Sequence, residues 1–163
     1  MQTHLKHLVN YNLWANRKFA EVLVNINYEV LDKEIVSSFS SIRKTVFHIW
    51  DAEFIWLKRL QGISLNAFPS SNYTNETAID KFLECSEEFA NTVNEADLDF
   101  FEKRCTYKQL SGKEFTNSHT QIIMHCMNHS TFHRGQLITM FRQIGITTLP
   151  KTDLIEYFRE NNL

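Results

Sequence analysis

Glycine and proline are scarce in this chain, four and two among 163 residues. So few breakers leave little material for linkers. No low-complexity tract, internal repeat or shift of composition marks a boundary, so one domain over residues 1–163 is expected. Cysteine is scarcer than any disulfide scaffold would need: Cys85, Cys105 and Cys126 are odd in number and lack the paired spacing of a zinc knuckle, which fits a reducing compartment. Charge of one sign is also missing. A net charge of −2, with acids and bases interspersed, makes no phosphate-binding field, and direct contact with nucleic acid is not expected. The opening MQTHLKHLVNYNLWANRKF has no apolar signal core or small-residue cleavage site, and no later run reaches the roughly 20 apolar residues of a membrane span. A cytoplasmic protein with no membrane partner is the expectation.

What the chain does have is histidine in an unusual place. Between His119 and Ile144, His125, His129 and His133 recur at a spacing of four and share one side of a helix. Ile122, Cys126, Gln136, Leu137, Met140 and Ile144 fall near the same side, so the ladder reads as lying within the apolar stripe. One histidine on such a stripe reads as a core residue satisfied by hydrogen bonds. Three in a row each need partners at both ring nitrogens, and a divalent cation satisfies them together.

The rest of the chain reads as further helices. From about His4 to Ile26, Leu5, Leu8, Val9, Ala15, Phe19, Val22, Leu23 and Ile26 keep helical spacing, with Asn12 and Asn16 inside the stripe. Those asparagines mark either a wet edge or residues that line a pocket and orient a ligand from behind. A polar connector over Asn27 to Ser40 leads to a second helix, capped by Ser40 or Ser41 and ended by Gly62. There Phe47, Trp50 and Phe54 cluster on one side. His48 lies on the other, with Thr45, Ala52, Ile49 and Trp56 around it, and reads either as a surface histidine or as one that meets something inside. Gln61 to Asn75, broken by Pro69, is a long crossover, and Thr74 or Asn75 can cap a third helix to about Asn94 whose inner side carries Ile79, Phe82, Leu83, Phe89 and Val93. FEKRCTYKQLSGKEFTNS alternates around Ser111-Gly112 as a hairpin capping one end of the helices. Ser118 with Gln121 forms a capping box, and Thr152 caps a short last helix after Pro150.

Two histidines in an H-x-x-x-H spacing can reach one ion, and a third ligand from another helix leaves a position for water or substrate. His129 with His133 is preferred over His125 with His129, because Arg134-Gly135-Gln136 follows: Gly135 permits close approach and Gln136 lies inward beside His133. The string NHSTFHRGQL closely resembles the signature of the DinB-like (DinB/YfiT) metalloproteins. YNLWAN, TVFHIWDAEFIWLKRL, the hairpin and DLIEYFRE extend the resemblance, more softly, over nearly the whole chain. The resemblance implies an all-α fold, a four-helix bundle with a long crossover connection and a small β-hairpin before the fourth helix. It also implies metal ligands at His48, His129 and His133, with His125 behind them or lining the pocket. Cys126 is a rival fourth ligand, read otherwise as a small buried hydrophobe. His4, His7 and His119 are expected to be solvated or incidental, and Arg134 to be a surface or partner charge.

Three neutral imidazoles leave an ion its full charge, so a zinc or nickel centre would attract an anion and lower the pKa of a bound water or thiol. The resemblance implies a transferase or isomerase that uses a low-molecular-weight thiol such as bacillithiol, mycothiol or glutathione against a small electrophile. A metal-dependent hydrolase is the second reading, with no inward Asp or Glu base seen beside the ligands. A non-enzymatic metal-binding stress protein is the third. A homodimer is expected as well: if His48, Thr45, Ala52 and Trp56 face inward, Phe47, Trp50 and Phe54 are left for a two-fold partner to cover.

Overall fold

The computed structural model describes residues 2–63, 65, 67–72, 75–109 and 112–163. In chain order it contains α1 (Gln2–Leu23), the short α2 (Tyr28–Leu31), α3 (Ile42–Leu60), a 3-10 turn (Pro69–Asn72), α4 (Asn75–Asn94), the short α5 (Leu98–Glu102), β1 (Arg104–Lys108), β2 (Glu114–Ser118), α6 (His119–Gln143) and α7 (Leu154–Glu160). Among the described residues the long helices α1, α3, α4 and α6 make the bundle. They pack in a ring, α1 against α4, α4 against α3, α3 against α6 and α6 against α1, so α1 and α3 lie on a diagonal. No described helix is long and apolar enough to cross a membrane.

Local chemistry sets the ends of these helices. The Ser41 hydroxyl accepts from the Lys44 N–H at the start of α3. At its end Gly62, at φ 75°, donates to the Arg59 carbonyl while Ile63 donates to Lys58, closing a left-handed cap. The α6 capping box forms as expected: Gln121 N–H donates to Ser118 Oγ at 3.2 Å and Ser118 N–H to Gln121 Oε1 at 3.0 Å. Thr152 does not cap α7. Asp153 holds that position without a side-chain bond, and the Thr152 carbonyl instead accepts from the Tyr11 hydroxyl at 2.7 Å, tying α7 to α1. The alternative α4 cap at Thr74 and the turn residue Ser111 lie outside the described residues.

The core takes Leu5, Val9, Phe19 and Leu23 from α1, Ile42, Ile49, Trp50 and Leu57 from α3, Phe82, Phe89 and Val93 from α4, and Ile122, Ile123, Leu137 and Phe141 from α6. Phe19 and Phe141 stack at 5.9 Å between centroids; truncating such a ring to Ala costs about 3–5 kcal/mol. The connector after α1 is less polar than its composition suggests: besides α2 it buries Leu31 and Ile35. In the hairpin, Thr106 pairs with Thr116 on the outer face, and Tyr107 turns inward against Trp56 at 5.2 Å. The Cys105 thiol donates to the Arg59 carbonyl, so the hairpin leans on the C-terminal end of α3.

Two faces differ from expectation. On α3 the buried arc lies between the two expected sides: Thr45 and Ile49 from the His48 side and Trp50 from the aromatic side are all buried, while Phe47 and Phe54 are half-buried and pack against the core. Of the aromatics that motivated a two-fold partner, Trp50 is thus covered within one chain. On α6 the buried arc runs through Cys126, Ser130, Arg134 and Leu137, and its centre lies roughly 100° round from His129. Ser130 and Arg134 are polar but buried, Arg134 against its expected place at the surface.

Candidate metal centre

His48 lies on the side of α3 that turns away from the bundle core, and His129 on the edge of the buried arc of α6. Where these margins meet, three rings converge. His48 Nε2 is 3.0 Å from His129 Nε2, and His133 Nε2 is 3.2 Å from the same atom. Among the described residues, these three form a group whose ligand atoms all lie within 4.8 Å of one another.

Each ring is held from behind. The His133 Nδ1–H donates to Gln136 Oε1 at 2.7 Å, which leaves the Nε2 lone pair aimed at the centre. The Gln136 amide in turn donates to Ser38 Oγ at 2.9 Å, so the connector after α2 fixes the tautomer of a residue on α6. Phe39, next in that connector, stacks on His48 with centroids 4.2 Å apart. Burial pushes the imidazoles of His48 and His129 down to about 4, and the neighbouring His133 pushes the same way. Both rings are neutral near pH 7.

The donor set fits a divalent cation. One proton shared among three Nε2 atoms can serve only one pair and leaves lone pairs facing each other, whereas an ion accepts all three. Ligands about 2.0–2.1 Å from a tetrahedral ion stand about 3.3 Å apart, close to the spacings of 3.0 and 3.2 Å found here. His129 Nδ1 is buried and has no protein partner.

Beside this group opens a cavity of about 750 Å³, walled by Phe39, Phe47, Ile55, Trp56 and Phe68, with His48 and His129 in its lining. The crossover contributes one wall through Phe68 and Ser70, and Ser70 donates from N–H and Oγ to the Asp51 carboxylate at 3.0 and 2.7 Å. Burial raises the Asp51 carboxyl above its usual range, against those bonds. An acid thus lines the cavity, three residues after His48, where the sequence had shown none.

The other expected site residues lie elsewhere. His125 is exposed, its ring against Trp56 at 5.1 Å and 5.9 Å from that of His129, on the flank of the group. Cys126 is fully buried, with its thiol pushed well above the usual value, and is not in the group; it is the small buried hydrophobe. Asn12 and Asn16 do not line the cavity. Both are buried in a separate network around Glu53, which is 0 % exposed. Glu53 Oε1 accepts from Asn12 at 2.7 Å, Asn16 at 3.0 Å and Ser130 at 2.9 Å, and Oε2 accepts from Ser86 at 2.6 Å. The carbonyl oxygens of Asn12 and Asn16 accept from Arg134, which also donates to Thr131. Arg134 is therefore no surface charge: it is 2 % exposed, and two amides bridge it to the buried carboxylate. His119 is buried against Phe100 at 4.5 Å, and His7 meets Phe158 at 5.8 Å. Only His4 is as exposed as expected of the three. Glu53 went unnoticed although it lies in the apolar run HIWDAEFIW on the same side as Ile49 and Leu57, a pattern that marks a buried acid.

Comparison with known proteins agrees with this architecture. Protein DinB of Bacillus subtilis (strain 168) is 25 % identical over 150 residues, spanning 88 % of this chain and 87 % of that one. A crystal structure of a DinB-like protein from Bacillus subtilis superposes with a TM-score of 0.67 at 17 % identity, covering 90 % of this chain and 96 % of the other. One of a protein assigned to the DinB family from Exiguobacterium sibiricum 255-15 gives 0.64 at 18 %, covering 93 % and 97 %. At such identities the two structures speak for the fold alone. Residues 1–161 match the sequence profile described as the DinB family, and the chain belongs to that family.

Proposed function

We propose that this chain is a metal-dependent enzyme that transfers a low-molecular-weight thiol to a small electrophile, with His48, His129 and His133 as the metal ligands. The observation that carries the reading is the convergence of three imidazole Nε2 atoms beside an apolar-walled cavity. A zinc or nickel ion held there would lower the pKa of a thiol or water beside it. The chain's own residues supply the rest. Gln136 and Phe39 keep His133 and His48 aimed at one point, and Phe39, Phe47, Ile55 and Phe68 keep water from a bound electrophile. In the transfer, sulfur forms a bond to carbon, the leaving group departs with its electron pair, and the thiol proton passes to solvent.

Hydrolysis is a second reading, favoured by Asp51, whose raised pKa and place in the cavity suit a general base or acid. One experiment separates the two. Cobalt-loaded protein is titrated with glutathione while sulfur-to-cobalt charge-transfer absorption is followed, and turnover of a halogenated electrophile is measured with and without the thiol. Thiol-dependent turnover that His129→Ala abolishes and Asp51→Asn spares supports transfer. Turnover without thiol that Asp51→Asn abolishes supports hydrolysis.

A further inference from the structure

The cavity beside the histidines does not end there. A second hollow of about 590 Å³ shares Ile55, Arg59, Phe68 and Gln109 with it and runs on to the hairpin. Arg59 stands where the two meet. It follows His48 by eleven residues, three turns or about 16 Å along α3, and eleven steps of the helix return to within roughly 20° of the same face. His48 and Arg59 therefore face one continuous groove from opposite ends.

The surroundings of Arg59 are those of an anion site rather than of a structural ion pair. Its guanidinium stacks against Trp56 at 4.4 Å and Tyr107 at 4.1 Å, which fixes the plane and leaves the N–H fork at its edge. No described residue accepts a hydrogen bond from that fork or pairs with its charge, whereas Arg17, Arg43 and Arg159 each pair with a carboxylate. Two acids line the groove: Asp51 is engaged by Ser70, and Glu114 makes no ion pair with Arg59.

We propose that Arg59 anchors an oxyanion, a carboxylate or a phosphate, at the far end of an elongated small-molecule ligand whose other end reaches the His48–His129–His133 group. Only the role of that other end rests on the thiol-transfer reading; the anchor stands on the groove and the stacked, unpaired guanidinium. A planar fork binds a carboxylate or phosphate through two parallel bonds, which sets the ligand's direction in the groove as well as holding it.

The test uses metal-free protein and probes without a free thiol, so a failure of the metal-site reading leaves its outcome unchanged. S-methylglutathione, its diethyl ester and glycerol 3-phosphate are titrated separately, with binding read by calorimetry and by the Trp56 indole resonance. The expected result is that at least one of the two anions binds, that the neutralised ester binds at least tenfold more weakly than its parent if the carboxylate is the source, and that Arg59→Gln weakens the binding anion at least tenfold. Arg59→Lys keeps charge but loses the fork, and falls between; it decides the matter if the Gln variant does not fold. A larger Arg59 dependence for glycerol 3-phosphate identifies phosphate as the group, and for S-methylglutathione carboxylate. Absence of binding by both anions at millimolar concentration overturns the proposal. So does binding that neither Arg59→Gln nor Arg59→Lys weakens.

Discussion

Two polar groups stand side by side on α3 and α6, and they are built from near neighbours in sequence: His48 and Glu53, His129 and Ser130, His133 and Arg134. Adjacent residues on a helix point about 100° apart, so one of each α6 pair joins the histidine group while the next enters the Glu53 network. The Glu53 group is closed at its carboxylate, with Arg134 Nε the one of its atoms buried without a hydrogen-bond partner among the described residues. Its carboxylate takes four donors, and the two amides that donate to it also accept from Arg134. The histidine group is open: three like lone pairs face one another beside empty space. A buried polar cluster that satisfies itself is scaffold, and one that leaves the same kind of atom unmatched three times is a place for something else.

The largest effect that would break this contrast comes from the closed group. Glu53→Ala strands the Arg134 charge in the core and is expected to cost about 3–5 kcal/mol in urea unfolding. A loss below about 1 kcal/mol would mean that the network does not hold the bundle together.

At the open group the expectation is reversed. His129→Ala should remove stoichiometric metal on elemental analysis, and His48→Ala likewise, while the metal-free protein unfolds within about 1 kcal/mol of the parent. Unchanged metal content in both variants would refute the ligand set. Gln136→Ala keeps all three ligands but frees the His133 ring, and a weakening of metal affinity by about 10- to 100-fold is expected from competition with a chelator.

The smallest effect is in pH. His48 and His129 are held neutral in the fold, at about 4 against an ordinary 6.5, so the native state binds fewer protons than the unfolded chain. Their contribution to stability is complete above pH 6.5 and is lost as pH falls toward 4. Protons from these two rings compete with metal over the lower part of that window, well below the pH of about 6 at which ordinary imidazoles begin to do so. A steep loss of affinity between pH 7 and 6, measured against a chelator of known protonation, would contradict the depressed values.

Much of this was legible in the chain because it is written locally. Helix spans follow from periodicity, the capping box at Ser118 and Gln121 from spacing alone, and the hairpin from a change of period. His129 and His133 share a helix, so four residues of separation suffice to put them within reach of one ion. Facing was not legible in the same way. Ser130, Arg134 and Glu53 look like surface residues until their partners on α1 and α4 are in place, since a buried charge is admissible only where another segment supplies the bonds. Arg134 was expected at the surface, Trp50 on an outer face it does not occupy, and Asn12 and Asn16 beside the wrong site. The meeting of His48 with His129 across 81 positions, the seating of Phe39 and Ser38 behind the ligands, and the groove from His48 to Arg59 likewise belong to the tertiary structure. A sequence carries the period of each helix, but the rotation of one helix against the next is decided by which neighbours satisfy its polar atoms.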